Sequence, residues 1–143
     1  MKKIAILFII LTIVVVCIIS LVLSNNSKQQ KVKQENSFYD SYLNKEIEGT
    51  TLATIINKAM NNNANNDVNI DEHKRYINNN TNSISIDIKM IDTKKTYSME
   101  QISNGQISNF VSYYGSITFK CTKIDYHKET GKVKYMLFEQ ITY

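Results

Sequence analysis

The longest hydrophobic segment lies at the start of the chain, where residues 4–23 form 20 consecutive positions without a charged side chain. At 1.5 Å per residue, a helix of this length spans about 30 Å, the thickness of the hydrocarbon core of a bilayer. Its polar residues Thr12 and Ser20 can each hydrogen-bond to a carbonyl of their own helix. The pattern predicts a transmembrane helix over residues 4–23, after a short head of residues 1–3.

This segment has three alternative fates. A cleaved signal peptide usually has a shorter apolar region, of about 7–15 residues, although Val22 and Ser24 suit the −3 and −1 positions of a peptidase site. A lipoprotein needs a small residue before its cysteine, whereas Val16 precedes Cys17. We interpret the segment as an uncleaved signal-anchor, with cleavage as the alternative.

The orientation of the anchor follows from the charges on its two sides. Lys2 and Lys3 precede it, and Lys28, Lys31 and Lys33 follow it, so the positive-inside count is close to a tie. A very short basic head before an apolar run is typical of export signals. We therefore expect a single-pass protein of the cell membrane, with residues 1–3 in the cytoplasm and the C-terminal domain outside.

The polar residues 24–36 predict a tether, with a continuation of the anchor helix for a turn or two as the alternative, and residues 37–143 predict one folded domain. Phe38 and Tyr42 are one helical turn apart, which indicates a short helix. The clearest helix follows Gly49, with Thr50 or Thr51 as its N-cap, and ends in the asparagine-rich residues 61–66, which read as a flexible linker. One stripe at helical spacing forms its apolar face: Leu52, Ile55, Ile56, Ala59 and Met60.

Alternating patterns predict the strands. Residues 83–90 place Ile84, Ile86, Ile88 and Met90 on one face, and residues 96–101 return as the partner strand, with Tyr97 and Met99 inward. Three further elements are predicted. The first is a weak strand at 68–70, and the second is a helix at 106–114, which Ser103 or Asn104 can cap and Gly115 ends. A closing hairpin pairs residues 117–127 with 132–142, with Gly131 in the turn and a β-bulge near Thr122. In its second strand the expected inward residues are Val133, Tyr135, Leu137 and Ile141.

Together these elements predict an α+β fold, in which a small antiparallel β-sheet of about 4–5 strands is covered by two short amphipathic helices. Cys17, in the apolar segment, and Cys121, in the domain, cannot form a bridge without crossing from lipid to water. The hydrophobic core alone must therefore stabilise the domain.

The net charge of the chain is only mildly basic. Beyond residue 23 there are 15 Lys and Arg against 13 Asp and Glu, and the two signs alternate along the chain. A nucleic-acid surface needs a basic patch or stripe, so we expect no nucleic-acid partner. The abundance of Ile, Asn, Lys and Tyr, which A/T-rich codons encode, indicates a low-G+C bacterium.

Three oxygen-bearing residues have the spacing of a calcium-binding loop: Asp67, Asn69 and Asp71. Such a loop has Gly at its sixth position and a bidentate Glu at its twelfth, and Glu72 and Asn78 stand there instead. Without the Gly the chain lacks the sharp turn, and without the Glu it lacks a charged ligand. We therefore predict no metal site in this loop.

The other candidate groups for chemistry are few. His73 and His127 have no Cys or His at ligand spacing. An extended strand would separate Cys121 from His127 by ~20 Å, too far for a nucleophile and its base. We expect Cys121 to pack as a small hydrophobe and His127 to be exposed, while Glu139 either points inward or reaches water. The prediction is no catalytic, cofactor-binding or metal residue and no small-molecule substrate.

Nine tyrosines in 143 residues raise the alternative of a binding surface, because tyrosine provides contact area at a low cost in side-chain entropy. The favoured interpretation is that most of them are sheet or core-edge residues with a hydrated hydroxyl. The tyrosines that bear on this choice are Tyr39, Tyr42, Tyr113, Tyr114, Tyr126, Tyr135 and Tyr143.

Three blocks of the chain resemble small single-pass membrane-anchored proteins of low-G+C Gram-positive bacteria, a group for which no activity is established. The first block is Tyr39-x-x-Tyr42-Leu-Asn-Lys-Glu-Ile-x-Gly49-Thr-x-Leu-Ala-Thr-Ile-Ile-Asn-Lys-Ala59. The others are Phe119-Lys-Cys-Thr-Lys-Ile-Asp-Tyr-His127 and Lys134-Tyr-Met-Leu-Phe-Glu139. The resemblance covers most of the chain and implies a bacterial envelope location.

The leading functional hypothesis is a membrane-tethered extracytoplasmic module that binds or positions another envelope protein. The alternative is a structural subunit of a pilus-like or secretion assembly, since such subunits also begin with an apolar helix followed by a sheet. The small residue at the processing site and the Glu at the fifth mature position, usual in such subunits, are both missing. An enzyme is not expected, because no pair of catalytic groups can be named.

Overall fold

The computed structural model describes residues 2–141, so the predicted head at Met1, the predicted strand end at Thr142, and Tyr143 lie outside the described range. The chain divides between residues 34 and 35 into two compact units. In chain order the elements are α1 (Lys2–Asp40), β1 (Glu46–Glu48), α2 (Gly49–Asn65), β2 (Ser85–Lys89), β3 (Thr96–Ser98), α3 (Met99–Asn104), α4 (Ile107–Tyr114), β4 (Thr118–Tyr126) and β5 (Val133–Gln140).

Helix α1 contains the apolar segment and also the polar residues 24–36. An 18-residue stretch of it reaches a mean hydropathy of 2.4, so α1 is long and apolar enough to cross a membrane. Its large apolar side chains from Ile9 to Leu23 are 46–67% exposed. The Thr12 and Ser20 hydroxyls donate to carbonyls of the same helix, each at 2.8 Å. The segment predicted as a tether is helical, because its Lys and Gln residues are good helix formers and extend an existing helix without a new nucleation step.

The second unit is an α+β domain built on a five-stranded sheet of order β1-β4-β5-β2-β3. The two predicted hairpins, β2–β3 and β4–β5, are antiparallel, as is β1–β4. However, β5 pairs in parallel with β2, so the sheet is mixed and the prediction of a purely antiparallel sheet is wrong. Short turns determine the pairing within each hairpin, but the pairing between hairpins depends on how the helices connect them.

The core lies between the inner face of this sheet and helices α2, α3 and α4. The predicted stripe of α2 is confirmed, since Leu52, Ile55, Ile56 and Ala59 have no exposed surface. The predicted inward face of β2 is confirmed as well, with Ile86 fully buried. The last turn of α1 adds Tyr39, which is 5% exposed, to the same core.

Two β-bulges decide which side chains of the closing hairpin face the core. The predicted bulge at Thr122 is confirmed, and a second extra residue lies at Lys134, between the pairs Tyr126–Val133 and Asp125–Tyr135. Each extra residue reverses the alternation of its strand. The inward residues of β5 are therefore Val133, Met136, Phe138 and Gln140, and the prediction of Tyr135, Leu137 and Ile141 as inward residues is wrong.

The N-terminus of α2 is capped by main-chain carbonyls, so the predicted threonine cap is wrong. The N–H groups of Gly49 and Thr50 donate to the carbonyls of Ile117 (2.9 Å) and Gly115 (3.1 Å). A Cβ atom on Gly49 would lie 1.9 Å from the Tyr114 carbonyl oxygen. Gly49 therefore permits a backbone-to-backbone contact between α2 and the end of α4.

Two more segments differ from their predictions. The strand expected over 96–101 ends at Ser98, where a capping box between Ser98 and Gln101 begins helix α3. This Ser-x-x-Gln pattern is a helix-start signal, so the prediction of a strand as far as residue 101 is wrong. The weak strand at 68–70 is reduced to one bridge between Ile70 and Tyr76.

The asparagine-rich residues 61–66, expected to be a flexible linker, are largely helical. Asn63 is fully buried, and its side chain pairs with the backbone of Ile84 just before β2. Its amide donates to the Ile84 carbonyl at 2.7 Å, and its oxygen accepts from the Ile84 N–H at 2.8 Å. One side chain thus serves as a strand partner for the start of β2.

Candidate functional site: a tyrosine groove beside the closing hairpin

A solvent-open groove of about 850 Å³ lies where the C-terminal end of β4, the β4–β5 turn and the start of β5 meet the segment before β2. We call it the tyrosine groove. The groove is lined by Asn78, Asn80, Ser85, Ile124, Asp125, Tyr126, His127, Lys128, Glu129, Lys134 and Tyr135. Its size falls within the range of small-molecule and cofactor pockets, about 300–1,000 Å³.

Carboxylates hold both tyrosines of the groove. Tyr135 lies on the outer face of β5, and its hydroxyl donates to Oδ2 of Asp87 at 3.1 Å. The Tyr126 hydroxyl donates to Oδ1 of Asp40, the last residue of α1, at 2.7 Å. Each bond restrains its ring before any ligand arrives, so a ligand that stacks on these rings would not bear the entropic cost of ordering them.

Both phenol groups stay protonated at neutral pH. Partial burial, together with the bonded carboxylate, raises the pKa of Tyr126 and of Tyr135 to about 12. Their hydroxyls therefore act as donors to Asp40 and Asp87, and the oxygens keep free lone pairs that can accept a bond from a ligand.

The bulge residue Lys134 lines the groove. It places Tyr135 beside Asp125 of β4 and Ser85 of β2 on the outer face of the sheet. Lys123 pairs with Asp125 at 2.7 Å, and its ammonium lies 5.5 Å from the centre of the Tyr135 ring. Bulges commonly redirect side chains next to binding sites, and this one separates Tyr135 from the core.

A hydrogen-bonded loop forms one wall of the groove. The Asn79 side-chain oxygen accepts from the N–H groups of Thr81, Asn82 and Ser83 at 2.9–3.0 Å. The ring nitrogen Nε2 of His127 lies 2.8 Å from the Ser83 carbonyl, and His127 is only 3% exposed. The expectation that His127 is exposed is wrong, because residues 78–84 cover the hairpin turn.

The charges that line the groove balance one another. Asp125 and Glu129 supply two carboxylates, and Lys128 and Lys134 supply two ammonium groups. Together with two amides and two aromatic rings, this composition suits a ligand of mixed polar and aromatic character. It does not favour a strongly anionic or strongly cationic ligand.

The other candidate residues, Cys121, Glu139 and His73, are not among the lining residues of the groove. Cys121 is fully buried, and burial raises the pKa of its thiol to about 11, as expected of a cysteine that packs in the core. Glu139 faces outward and pairs with Lys89 at 3.3 Å. His73 is exposed and lies 3.5 Å from Glu72.

The calcium-like segment is a hydrogen-bonded turn. Oδ1 of Asp71 accepts from the N–H groups of His73 (2.9 Å) and Arg75 (2.8 Å), and the Arg75 guanidinium lies 3.0 Å from Oδ2. These bonds, led by the one from the Arg75 backbone, lower the pKa of the Asp71 carboxyl group. Within residues 2–141 no cluster of three metal-ligating side chains is found.

The remaining tyrosines are distributed over the molecule. Tyr39 is buried, Tyr42 packs edge-on against Phe38, and Tyr113 is 78% exposed on α4. The Tyr114 hydroxyl donates to Asp92 at 2.9 Å. The groove has no signature in the sequence, since neither Asp40 nor Asp87 has a local signal that identifies it as the partner of a distant tyrosine.

Comparisons of the chain with protein-family models, with curated proteins and with solved structures gave no match.

Proposed function

We propose that this protein is a membrane-tethered extracytoplasmic module that binds another envelope protein through the tyrosine groove. The observation that carries the proposal is the pair of tyrosines held by Asp87 and Asp40 in an open groove of about 850 Å³. Restrained tyrosine rings give contact area at low entropic cost, and the balanced charges suit a polypeptide segment that is itself polar and aromatic.

The anchor is the second part of the proposal. A helix whose apolar side chains are about half exposed in the protein needs an apolar environment, and a bilayer supplies it. The cytoplasmic N-terminus rests on the short basic head of Lys2 and Lys3. A reporter fused after residue 143 tests the orientation: we expect it to be active outside the cell, and activity confined to the cytoplasm would refute the proposal.

The state of Cys121 and His127, the two groups of the domain that were weighed as a nucleophile and its base, favours a binding role over a catalytic one. The Cys121 thiol is buried with a raised pKa, and its Sγ lies 3.7 Å from the Lys123 carbonyl. His127 is bonded to the Ser83 carbonyl. Each group is already satisfied by the fold, so neither is positioned to activate the other.

Photocrosslinking in intact cells tests the groove directly. A photoreactive phenylalanine analogue replaces Lys128, an exposed groove residue, in the full-length chain. The matched control places it at Lys95, an exposed lysine in the turn before β3. We expect Lys128 to yield a crosslink to a different envelope protein and Lys95 to yield none.

The same experiment with Tyr135→Ala separates specific capture from collision. Removing this ring should reduce the crosslink from position 128 severalfold, because a central aromatic contact commonly dominates binding energy. Equal labelling from both positions, or crosslinks only between copies of the chain, would contradict the proposed function.

The pilin-like alternative keeps one specific observation in its favour. Helix α1 runs from the apolar segment to Asp40, and its last turn contributes Tyr39 to the core of the domain. A structural subunit of this kind should be recovered in filaments sheared from the cell surface. A binding module should instead stay with the membrane fraction, so one fractionation distinguishes the two.

A further inference from the structure

The polar part of α1 that follows the apolar segment carries charge of one sign. Between residues 24 and 34 the only charged residues are Lys28, Lys31 and Lys33, which we call the basic segment. All three side chains are exposed, and none has an ion-pair partner among residues 2–141. The first carboxylate along α1, Glu35, is paired with Lys132 at 2.8 Å. The three positive charges are therefore not neutralised by their neighbours in sequence.

The helical conformation fixes the distance of each ammonium-bearing residue from the end of the apolar segment at Leu23. At a rise of 1.5 Å per residue, Lys28, Lys31 and Lys33 lie about 7.5, 12 and 15 Å beyond Leu23. The headgroup region extends about 5–8 Å beyond the hydrocarbon core on each side. Lys28 thus lies at the headgroups, and the other two lie within about one Debye length of the membrane surface. A disordered tether would not hold them there.

The three lysines also spread around the helix axis. With 3.6 residues per turn, Lys31 is about 60° to one side of Lys28 and Lys33 is about 140° to the other. This arc of about 200° does not converge on one point, as a pocket for a single headgroup would. It suits several lipids arranged around the helix.

We propose that the basic segment enriches phospholipids with anionic headgroups around the end of the membrane span. This inference rests on the proposed anchor, and it names the class of lipid that the anchor prefers. Each lysine near an anionic surface is expected to favour the anionic lipid by about fivefold. Because the attraction is electrostatic, it should weaken strongly in 1 M salt, where the Debye length is about 3 Å.

The test uses the full-length protein reconstituted in vesicles of phosphatidylcholine and phosphatidylglycerol. Spin-labelled versions of the two lipids report, through their motionally restricted fraction, the relative association of each lipid with the protein. One variant replaces the three lysines of the basic segment with glutamine, a residue of similar helix propensity. The matched control carries Lys45→Gln, Lys94→Gln and Lys95→Gln, three exposed lysines of the domain, and has the same net charge.

We expect the wild type and the control to prefer phosphatidylglycerol by about fivefold or more, and the basic-segment variant to lose most of that preference. Lys2 and Lys3 are common to all three proteins, so the difference between variants isolates the basic segment. Equal association of both lipids with the wild type, or an unchanged preference in the variant, would overturn the inference.

Extraction of the vesicles at alkaline pH distinguishes this failure from failure of the proposed function. If the wild type stays in the membrane but shows no lipid preference, only the lipid inference is wrong. If it is released into solution, the anchor is wrong and both proposals fail.

Discussion

The side chain of Asn63 offers the sharpest test of how the domain is stabilised. It is fully buried and bonds both polar groups of the Ile84 backbone, at 2.7 and 2.8 Å. Asn63→Ala would leave a buried N–H and a buried C=O without these partners. Each such group costs about 1–3 kcal/mol. Because water can enter the space left by the amide and recover part of this cost, we expect a loss of about 3 kcal/mol in the free energy of unfolding.

Two further variants separate the hydrogen bonds from other effects. Asn61→Ala changes an exposed asparagine of the same helix and should alter stability by less than about 0.5 kcal/mol, or raise it slightly, since Ala favours helix. Asn63→Leu restores the lost volume without the bonds and should remain destabilising. Urea unfolding of the full-length protein in detergent micelles, followed by the near-ultraviolet circular dichroism of tyrosine, measures all three. An Asn63→Ala protein as stable as the Asn61→Ala protein would refute the reasoning.

Two other predictions concern helix packing and the groove. Gly49→Ala places a Cβ atom 1.9 Å from the Tyr114 carbonyl oxygen and should lower the free energy of unfolding by about 1–3 kcal/mol. Gly105→Ala, where the nearest atom lies 3.1 Å from the added Cβ, should lower it by less. Equal losses of stability in the two variants would contradict the close contact at Gly49. Alkaline titration followed by phenolate absorbance should show tyrosines that ionise only near pH 12, and Tyr135→Phe should remove one of these tyrosines from the titration. Because the folded state binds these protons more tightly than the unfolded state, the free energy of unfolding should fall as the pH rises from 10 to 12. If all tyrosines had ionised by pH 10.5, the hydrogen bonds of Tyr126 and Tyr135 would be excluded.

Elements whose cause is local could be predicted from the sequence. The stripe from Leu52 to Ala59 and the alternation from Ile84 to Met90 each repeat with the period of one secondary structure, and both lie on the core side as predicted. The turn at Gly131, where φ is 68°, and the bulge at Thr122 were also predicted from neighbouring residues. A signal of the same local kind, the capping box between Ser98 and Gln101, marks the start of α3.

Features that depend on distant parts of the chain could not be predicted in this way. The second bulge, at Lys134, has no signal in its own strand, and it changed the inward residues from Tyr135 and Leu137 to Met136 and Phe138. The burial of His127 depends on a loop about forty residues earlier in the chain, since its partner is the Ser83 carbonyl.

The sequence by itself determined the apolar span, the helical stripe, the alternating strand and the hairpin turns, because each is produced by residues within about one turn or one strand of each other. Only the tertiary structure decided the parallel pairing of β2 with β5, the burial of Asn63 and the position of the tyrosine groove. The physical reason is that an unpaired strand edge or a buried polar group can be satisfied by any suitable partner in the chain. Which partner it finds depends on how all the elements pack at once.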